Sequence, residues 1–170
     1  MTIHGIRLAL LLALVYLPSA FSLQAAELLL AQSAEKPKLV ELWQPGDPGE
    51  RMNIRGRVTT VDGTPVAGAQ IHIRQADGNG DYTPNYSTTI ETDAKGRYQF
   101  GTVLPGQYYG TKHVHIWAIH DDHGSISTEI LFQGDPNLED PDAPNAIFLE
   151  EATVNGETIL FGRFDMTLSQ

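Results

Sequence analysis

The sequence predicts an all-β protein, a single β-sandwich that follows an N-terminal signal segment. No stretch after residue 34 repeats apolar residues at a helical period over three turns. Short segments of alternating apolar and polar residues recur instead, separated by turns rich in Gly, Pro and Asp. The length of 170 residues suits one domain and is enough to bury a hydrophobic core.

Residues 1–34 have the pattern of a secretory signal. Arg7 precedes an apolar run from Leu8 to Leu17, and Pro18, Ser19 and other small residues follow it. The run is much shorter than the ~20 apolar residues that a transmembrane helix needs. We therefore expect a cleaved signal peptide, with an uncleaved N-terminal anchor as the alternative, and an exported protein, periplasmic or secreted.

The remaining chain divides into a lead-in and one domain. Residues 35–51 are rich in proline and charge, which predicts an extended lead-in over the surface, and residues 52–170 form the predicted sandwich domain. Its predicted strands, in chain order, are residues 53–60, 69–75, 86–92, 97–101, 113–120, 125–133, 146–152 and 159–168. The Gly, Asn and Asp residues of 77–81 predict a loop that leads to Tyr82. Residues 134–145 carry four acids and three prolines and predict an irregular loop.

Composition excludes several classes of function. The formal net charge is −10 and no run of Lys or Arg is present, so a nucleic-acid partner is not expected. The chain has no cysteine, which excludes disulfides, thiolate metal sites and a cysteine nucleophile. Ser125 and Ser127 lack a His and Asp arrangement that would indicate a hydrolase.

The segment 105–117, PGQYYGTKHVHIW, is the strongest candidate for chemistry. Side chains alternate between the two faces of a strand, so His113 and His115 are predicted on one face and Val114 on the other. Tyr108 follows a Pro-Gly turn and can direct its phenol to the same point. A phenolate beside two imidazoles suits a hard ion such as ferric iron, although the histidine pair alone is equally compatible with ordinary strand residues.

Residues 56–136 carry a resemblance to a known family. The motifs are, in order, GTPVAGA at 63–69, GDY at 80–82, TDAKGRYQF at 92–100, PGQY at 105–108, HVH at 113–115 and FQGDP at 132–136. Together they resemble the core of the intradiol ring-cleavage dioxygenases, the family of protocatechuate 3,4-dioxygenase and catechol 1,2-dioxygenase. The turn and strand motifs also resemble non-catalytic transthyretin-like and carboxypeptidase-regulatory-like modules, which need neither Tyr82 nor the paired histidines.

The dioxygenase resemblance implies a non-haem ferric ion as the cofactor, with Tyr82, Tyr108, His113 and His115 as its ligands. Two phenolates and a hydroxide would balance the three charges of the ion. The implied substrates are a catechol-type aromatic diol and O2. The implied reaction cleaves the ring between the two hydroxylated carbons and gives a cis,cis-muconate-type diacid. A homo-oligomer is possible, and a membrane is a partner only if the N-terminal segment stays uncleaved.

The chain departs from the family pattern near the histidines. Gly110 stands where the family usually has an arginine that stabilises negative charge on the substrate, so Lys112 or Arg74 is expected to replace it. Glu129 stands where the family has a glutamine, and an acid there would repel an anionic catecholate. Lys112, Arg74 and Glu129 are therefore the predicted catalytic residues, and an inactive iron-binding relative is an alternative function, as is a sandwich binding module.

Three alternative assignments accompany these ligands. Tyr109 competes with Tyr108, although the Pro-Gly-x-Tyr pattern favours Tyr108, and Tyr86 competes with Tyr82. His120 and His123 flank two aspartates and suggest a second metal site, but polar residues of this kind are common in hairpin turns.

Overall fold

The computed structural model describes residues 36–108 and 110–169. Backbone contacts divide the chain into a first unit, residues 1–36, and a second unit, residues 37–170. The predicted signal segment and Tyr109 lie outside the described residues, so the domain boundaries stay a prediction. Within the described ranges, no helix has the length and apolarity required to cross a membrane.

The second unit is all-β over its described residues, as predicted. Two sheets account for its strands. One has the order β1-β5-β2-β10-β9, with β11 also paired to β2, and the other has the order β4-β3-β6-β7-β8. The strands are β1 (Leu39–Glu41), β2 (Arg51–Thr60), β3 (Gln70–Ala76), β4 (Tyr82–Glu91), β5 (Arg97–Val103), β6 (His113–His120), β7 (Gly124–Phe132), β8 (Ala146–Ile147), β9 (Glu150–Val154), β10 (Glu157–Arg163) and β11 (Met166–Leu168).

One hydrophobic core joins the two sheets. Ile54 of β2 and Phe100 of β5 belong to the same buried cluster as Ile71 of β3 and Ile116 of β6. Every second residue of β6 from Val114 to Ala118 is buried, and the residues between them are partly exposed. The alternating pattern of the sequence therefore assigns one face of this sheet to the core and the other to the site described below.

A buried tyrosine links β5 to the segment between β10 and β11 in the first sheet. The hydroxyl of Tyr98 donates to the carbonyl oxygen of Phe164 at 2.6 Å, and the amide of Phe164 donates to the carbonyl of Arg55 at 2.9 Å. A Cβ atom on Gly56 would lie 1.7 Å from the Phe164 carbonyl oxygen, so only glycine permits this approach. The contact falls between β10 and β11, where the predicted single strand 159–168 is divided in two.

The predicted single strand 146–152 is also wrong, because the structure has β8 at Ala146–Ile147 in the second sheet and β9 at Glu150–Val154 in the first.

The start of β4 and the lead-in differ from the prediction as well. β4 begins at Tyr82 instead of residue 86, because β4 lies at the edge of its sheet, where Pro84 removes no hydrogen bond that a central strand would need. Tyr82 is thus a strand residue paired with Ala76, next to a register shift between Arg74 and Ala76. The lead-in contributes the short strand β1, which pairs in parallel with β5.

Candidate metal centre

The site lies on the exposed face of the second sheet, where β6 runs between β3 and β7. His113 and His115 project from this face, and both are partly buried. In the register of the sheet, His115 stands opposite Arg74 on β3 and opposite Glu129 on β7. The imidazole of His115 therefore lies between a basic residue, Arg74, on one neighbouring strand and an acidic residue, Glu129, on the other.

Three donor atoms converge at this face. The hydroxyl oxygen of Tyr82 lies 3.0 Å from Nε2 of His115 and 3.5 Å from Nε2 of His113. The two Nε2 atoms are 3.3 Å from each other. One phenol and two imidazoles thus point to a common centre, and we call these three residues the donor cluster.

Contacts on the far side of each imidazole orient the two rings. Nδ1 of His113 lies 2.8 Å from the carbonyl oxygen of Thr111, which can only accept, so Nδ1–H is the donor. Nδ1 of His115 lies 3.3 Å from Oε1 of Glu129, an ion-pair distance. Nε2 of His113 therefore presents a lone pair to the hydroxyl of Tyr82 and to Nε2 of His115. Such an electron-rich centre fits a bound cation.

The pKa shifts in the cluster suit a metal-binding site. Burial lowers the pKa of His115, the nearby His113 and Arg74 lower it further, and Glu129 opposes them. Burial raises the pKa of Tyr82, and Tyr108 and Glu129 act in the same direction against Arg74. At neutral pH the protein without metal therefore holds a neutral imidazole and a protonated phenol, so metal binding must release the phenol proton.

A glycine-rich loop positions Tyr82. Oδ1 of Asp77 accepts hydrogen bonds from the amides of Asn79 at 2.8 Å and Asp81 at 3.1 Å, which closes the loop before the tyrosine. Glycines 78, 80 and 106 approach neighbouring backbone so closely that a Cβ on any of them would lie 2.4 to 2.6 Å from another backbone atom. The sequence predicted this loop, but it did not indicate that the segments around Pro48 and Gly106 pack against it.

Tyr108 contacts the cluster through the ring of Tyr82. The two ring centroids are 5.1 Å apart and the planes are inclined by 81°, an edge-to-face arrangement. The side chain of Tyr108 is exposed, with a relative accessibility of 43%. The structure thus brings all four predicted ligands to one face, with Tyr108 as the most accessible of them, and their role as ligands stays a prediction.

The predicted catalytic residues have different surroundings. The guanidinium carbon of Arg74 lies 4.9 Å from the centroid of the Tyr82 ring, a cation–π contact at the edge of the donor cluster. The amide of Lys112 donates to Oδ2 of Asp135 at 2.6 Å, and the charge of Lys112 helps to lower the pKa of that carboxyl. Glu129 contacts His115 as described, and these three assignments also stay predictions.

The competing residues lie elsewhere. Tyr86 is buried and its hydroxyl donates to Oδ2 of Asp47 at 2.8 Å, a contact between β4 and the lead-in. The rings of His120 and His123 are 4.8 Å apart, and Nδ1 of His120 accepts the amide of Asp122. Among the described residues, the only group of three or more His, Asp or Glu side chains close enough to share a metal is His113, His115 and Glu129.

Sequence reasoning missed two contacts that shape this centre. The Thr111 carbonyl oxygen orients His113, and no side-chain pattern reports a backbone acceptor. The contact of Glu129 with His115 depends on the pairing of β6 with β7, which the sequence does not specify residue by residue. The short turn of three residues, 121–123, between the strands was the available indication of this pairing.

The fold and the donor cluster define a β-sandwich protein with a candidate metal centre made of tyrosine and histidine side chains. A family model described as Dioxygenase matches residues 27–112, just over half of the chain and ending immediately before His113. The chain belongs to the intradiol ring-cleavage dioxygenase family.

Relatives and solved structures agree with this membership. The protocatechuate 3,4-dioxygenase beta chain of Burkholderia cepacia is 34% identical over 116 residues, 55% of this chain and 49% of the relative. Catechol 1,2-dioxygenase 2 of Acinetobacter lwoffii is 29% identical over 121 residues, 55% of this chain and 44% of the relative. The chain thus spans about half the length of the curated relatives it matches.

The solved structures extend the similarity to most of the chain. Catechol 1,2-dioxygenase from Pseudomonas arvilla C-1 has a TM-score of 0.71 at 25% identity, covering 80% of this chain and 58% of that one. The dioxygenase domain of a dioxygenase and carbohydrate-binding fusion from Streptomyces sp. SirexAA-E has a TM-score of 0.64 and covers 80% of this chain and 90% of that domain. Its 24% identity supports the fold alone.

Proposed function

We propose that this protein is a non-haem Fe(III)-dependent intradiol dioxygenase that cleaves the ring of a catechol-type aromatic between its two hydroxylated carbons. The elements of one O2 are added and none is lost, so the product is a cis,cis-muconate-type diacid. The convergence of the Tyr82 hydroxyl with the Nε2 atoms of His113 and His115, within 3.0 to 3.5 Å of one another, is the observation that carries the proposal.

The donor chemistry of the cluster fits ferric iron. Phenolate oxygen is a hard anionic donor that favours a highly charged ion, and imidazole is an ordinary ligand of iron. Tyr82, Tyr108, His113 and His115 would hold the ion. When bound, ferric iron would supply the charge and redox capacity that let a catechol ring react with O2.

The residues around the cluster have complementary tasks. Tyr108, which contacts the donor cluster through the Tyr82 ring, is more exposed than Tyr82, and its Oη is suited to accept a proton from a substrate hydroxyl as the diol binds. Arg74 lies beside the Tyr82 ring, where its charge would stabilise an anionic catecholate, so we assign to it the task of the arginine replaced by Gly110. The charge of Lys112 acts on Asp135, so Lys112 is the less suitable candidate.

We also propose an exported location. Its support is the sequence of residues 1–34, in which Arg7 is followed by an apolar run and small residues. Expression of the full chain with detection of the mature N-terminus by mass spectrometry tests this point. Loss of residues within 1–34 on export supports the proposal, and a full-length protein retained in the cytosol contradicts it.

Visible absorption after iron loading tests the activity. The purified protein is loaded with ferric iron and its spectrum recorded alone and with catechol in air. We expect a broad tyrosinate-to-iron band that shifts when catechol is added, together with a diacid that contains both atoms of isotopically labelled O2. Tyr108→Phe should weaken and shift the band, His115→Ala should lose iron, and Tyr86→Phe, which alters a tyrosine outside the cluster, should retain both band and product.

Two outcomes contradict the proposal in different ways. A band that responds to catechol without product indicates an iron-binding relative that does not turn over, and directs attention to Gly110 and Glu129. Absence of both the band and stoichiometric iron contradicts the iron site itself, and leaves a sandwich module that binds a partner without catalysis.

A further inference from the structure

We propose that Glu129 is a positioning residue for His115. Its carboxylate accepts the Nδ1–H of His115, which holds the ring with Nε2 directed to the metal and makes His115 a stronger electron donor than His113. This inference rests on the proposed metal site and deepens it, because it assigns a task to the acid that replaces the family's glutamine.

The sheet itself brings the two residues together. His115 and Glu129 are direct partners in the antiparallel pairing of β6 with β7, where opposed side chains on one face lie close to each other. Oε1 of Glu129 lies 3.3 Å from Nδ1 of His115. A second contact holds the backbone of Glu129, because Nδ2 of Asn145 donates to the carbonyl oxygen of Glu129 at 2.9 Å.

The carboxylate acts through the imidazole and not on the converging atoms. It contacts Nδ1, whereas Nε2 on the opposite edge of the same ring faces Tyr82 at 3.0 Å. A carboxylate that accepts a hydrogen bond from the outer N–H of a metal-binding histidine fixes its tautomer and increases the electron density on the ligand nitrogen. Glu129 thus lies at the Nδ1 edge of His115, and one of its carboxylate oxygens is also within 4.8 Å of a ring nitrogen of His113.

The two histidines consequently differ as ligands. Nδ1 of His113 donates to a neutral backbone carbonyl at 2.8 Å, whereas Nδ1 of His115 faces the carboxyl group of Glu129 at 3.3 Å. A negative charge one ring away from the metal stabilises the more highly charged oxidation state. Glu129 should therefore favour ferric over ferrous iron, which is the state that the proposed reaction requires.

The first test needs no metal. In protein labelled with ¹⁵N at histidine, long-range proton–nitrogen correlation spectra report which ring nitrogen of His115 carries the proton. We expect the Nδ1–H form in the natural protein and in Glu129→Gln, whose amide oxygen can still accept, and a shift to the Nε2–H form in Glu129→Ala. Glu91→Ala, an exposed acid on β4, is the matched control and should leave the His115 signals unchanged.

The second test measures the metal. Zinc, which has no redox chemistry, should bind Glu129→Ala about tenfold to hundredfold more weakly than the natural protein, as expected for loss of an outer hydrogen-bond partner. Glu129→Gln should bind zinc nearly as tightly. It should also lose about tenfold in its preference for ferric over ferrous iron, an upward shift of about 59 mV in reduction potential.

The results separate this inference from the proposed activity. If Glu129→Ala leaves the His115 tautomer and the zinc affinity unchanged, the positioning role is wrong, whatever the activity of the protein. If both respond as described but no ring-cleavage product forms, the proposed activity is wrong and the positioning role stands. An unchanged iron potential in Glu129→Gln contradicts the electronic part of the inference.

Discussion

The backbone amide of Gly106 donates a hydrogen bond of 2.7 Å to the carbonyl oxygen of Asp77, and this bond joins the two segments that carry Tyr82 and Tyr108. The carbonyl of Asp77 also accepts the amide of Gly80 at 3.1 Å, so one peptide group holds both segments. Tyr82 is the first residue of β4 and Tyr108 lies in the segment between β5 and β6, so the distance between their rings depends on this junction.

Gly106→Ala should therefore disturb the metal centre more than the fold. A Cβ at position 106 would lie 2.4 Å from the amide nitrogen of Gly80 and 2.6 Å from the carbonyl oxygen of Gly78, both backbone atoms that cannot rotate away. We expect the two loops to separate, with a loss of iron affinity of about tenfold or more and a destabilisation of about 1–3 kcal/mol from overpacking. Chelator competition and urea unfolding measure the two effects.

Gly63→Ala is the matched control for this substitution. Its Cβ would meet no atom within 4 Å, but its φ of +85° is strained for alanine. It should lower the free energy of unfolding by about 1 kcal/mol without changing iron affinity. Equal iron affinity in Gly106→Ala and the natural protein would show that the junction does not position the tyrosines.

The tyrosines at 82 and 86 should respond in opposite ways to loss of their hydroxyls. Tyr82→Phe removes one of the three converging donor atoms, so iron affinity and the visible band should fall sharply while stability changes little. Tyr86→Phe removes the partly buried hydrogen bond to Asp47 and should cost about 1–2 kcal/mol of unfolding free energy with iron affinity unchanged. The reverse pattern would assign the ligand role to Tyr86.

Tyr98 should make the protein sensitive to alkaline pH. Burial raises the pKa of Tyr98 in the folded state, and the charge of Asp165 adds to this. A group with a raised folded pKa contributes stability that is complete below its unfolded pKa, about 10 for tyrosine, and is lost as the pH rises above that value. Urea unfolding between pH 8 and about pH 11 should therefore show stability falling with increasing pH.

Tyr98→Phe separates the contribution of Tyr98 to this pH dependence from the contributions of the other tyrosines. The substitution leaves the Phe164 carbonyl oxygen without the Tyr98 donor and should cost about 1–3 kcal/mol at pH 8. Its stability should also fall less steeply above about pH 10 than that of the natural protein. Parallel pH profiles of the two proteins would exclude Tyr98 as the responsible group.

The strand with the paired histidines shows how much of the site the sequence could predict. Residues 113–120 form β6 with the predicted bounds, because alternation of period two is read directly from HVHIWAIH. The same alternation predicted that His113 and His115 share a face, and Val114 and Ile116 are buried opposite them as expected. Local pattern was sufficient because these properties depend only on neighbours within one strand.

Tyr82 and Glu129 show what local pattern could not give. Tyr82 was predicted at the end of the loop 77–81, whereas it begins β4, and the edge position of β4 in its sheet makes Pro84 acceptable within that strand. Glu129 was identified as a departure from the family, but its contact with His115 arises from the pairing of β6 with β7. Both properties depend on partners distant in the chain, and no local pattern of residues encodes them.

The turn between β4 and β5 should make the protein sensitive to acid. Oδ1 of Asp93 accepts the amides of Lys95 and Arg97 at 2.8 and 2.9 Å, and Oδ2 accepts Nε of Arg97 at 2.7 Å. Burial opposes ionisation of Asp93, but the hydrogen bonds and charge of Arg97 outweigh it and lower the pKa of the carboxyl. Stability from a lowered pKa is complete above the unfolded value, about 3.9, and is lost as the pH falls through the folded value.

Asp93→Asn tests the contribution of this charge, because it retains an acceptor oxygen for the two amides. At pH 7 it should lower the free energy of unfolding by about 1–2 kcal/mol, a modest figure since the ion pair is partly exposed. Between pH 5 and pH 2, the natural protein should lose stability more steeply than Asp93→Asn, whereas Asp121→Asn in the exposed β6–β7 turn should follow the natural protein. Parallel acid profiles of the natural protein and Asp93→Asn would mean that the charge of Asp93 does not stabilise the turn.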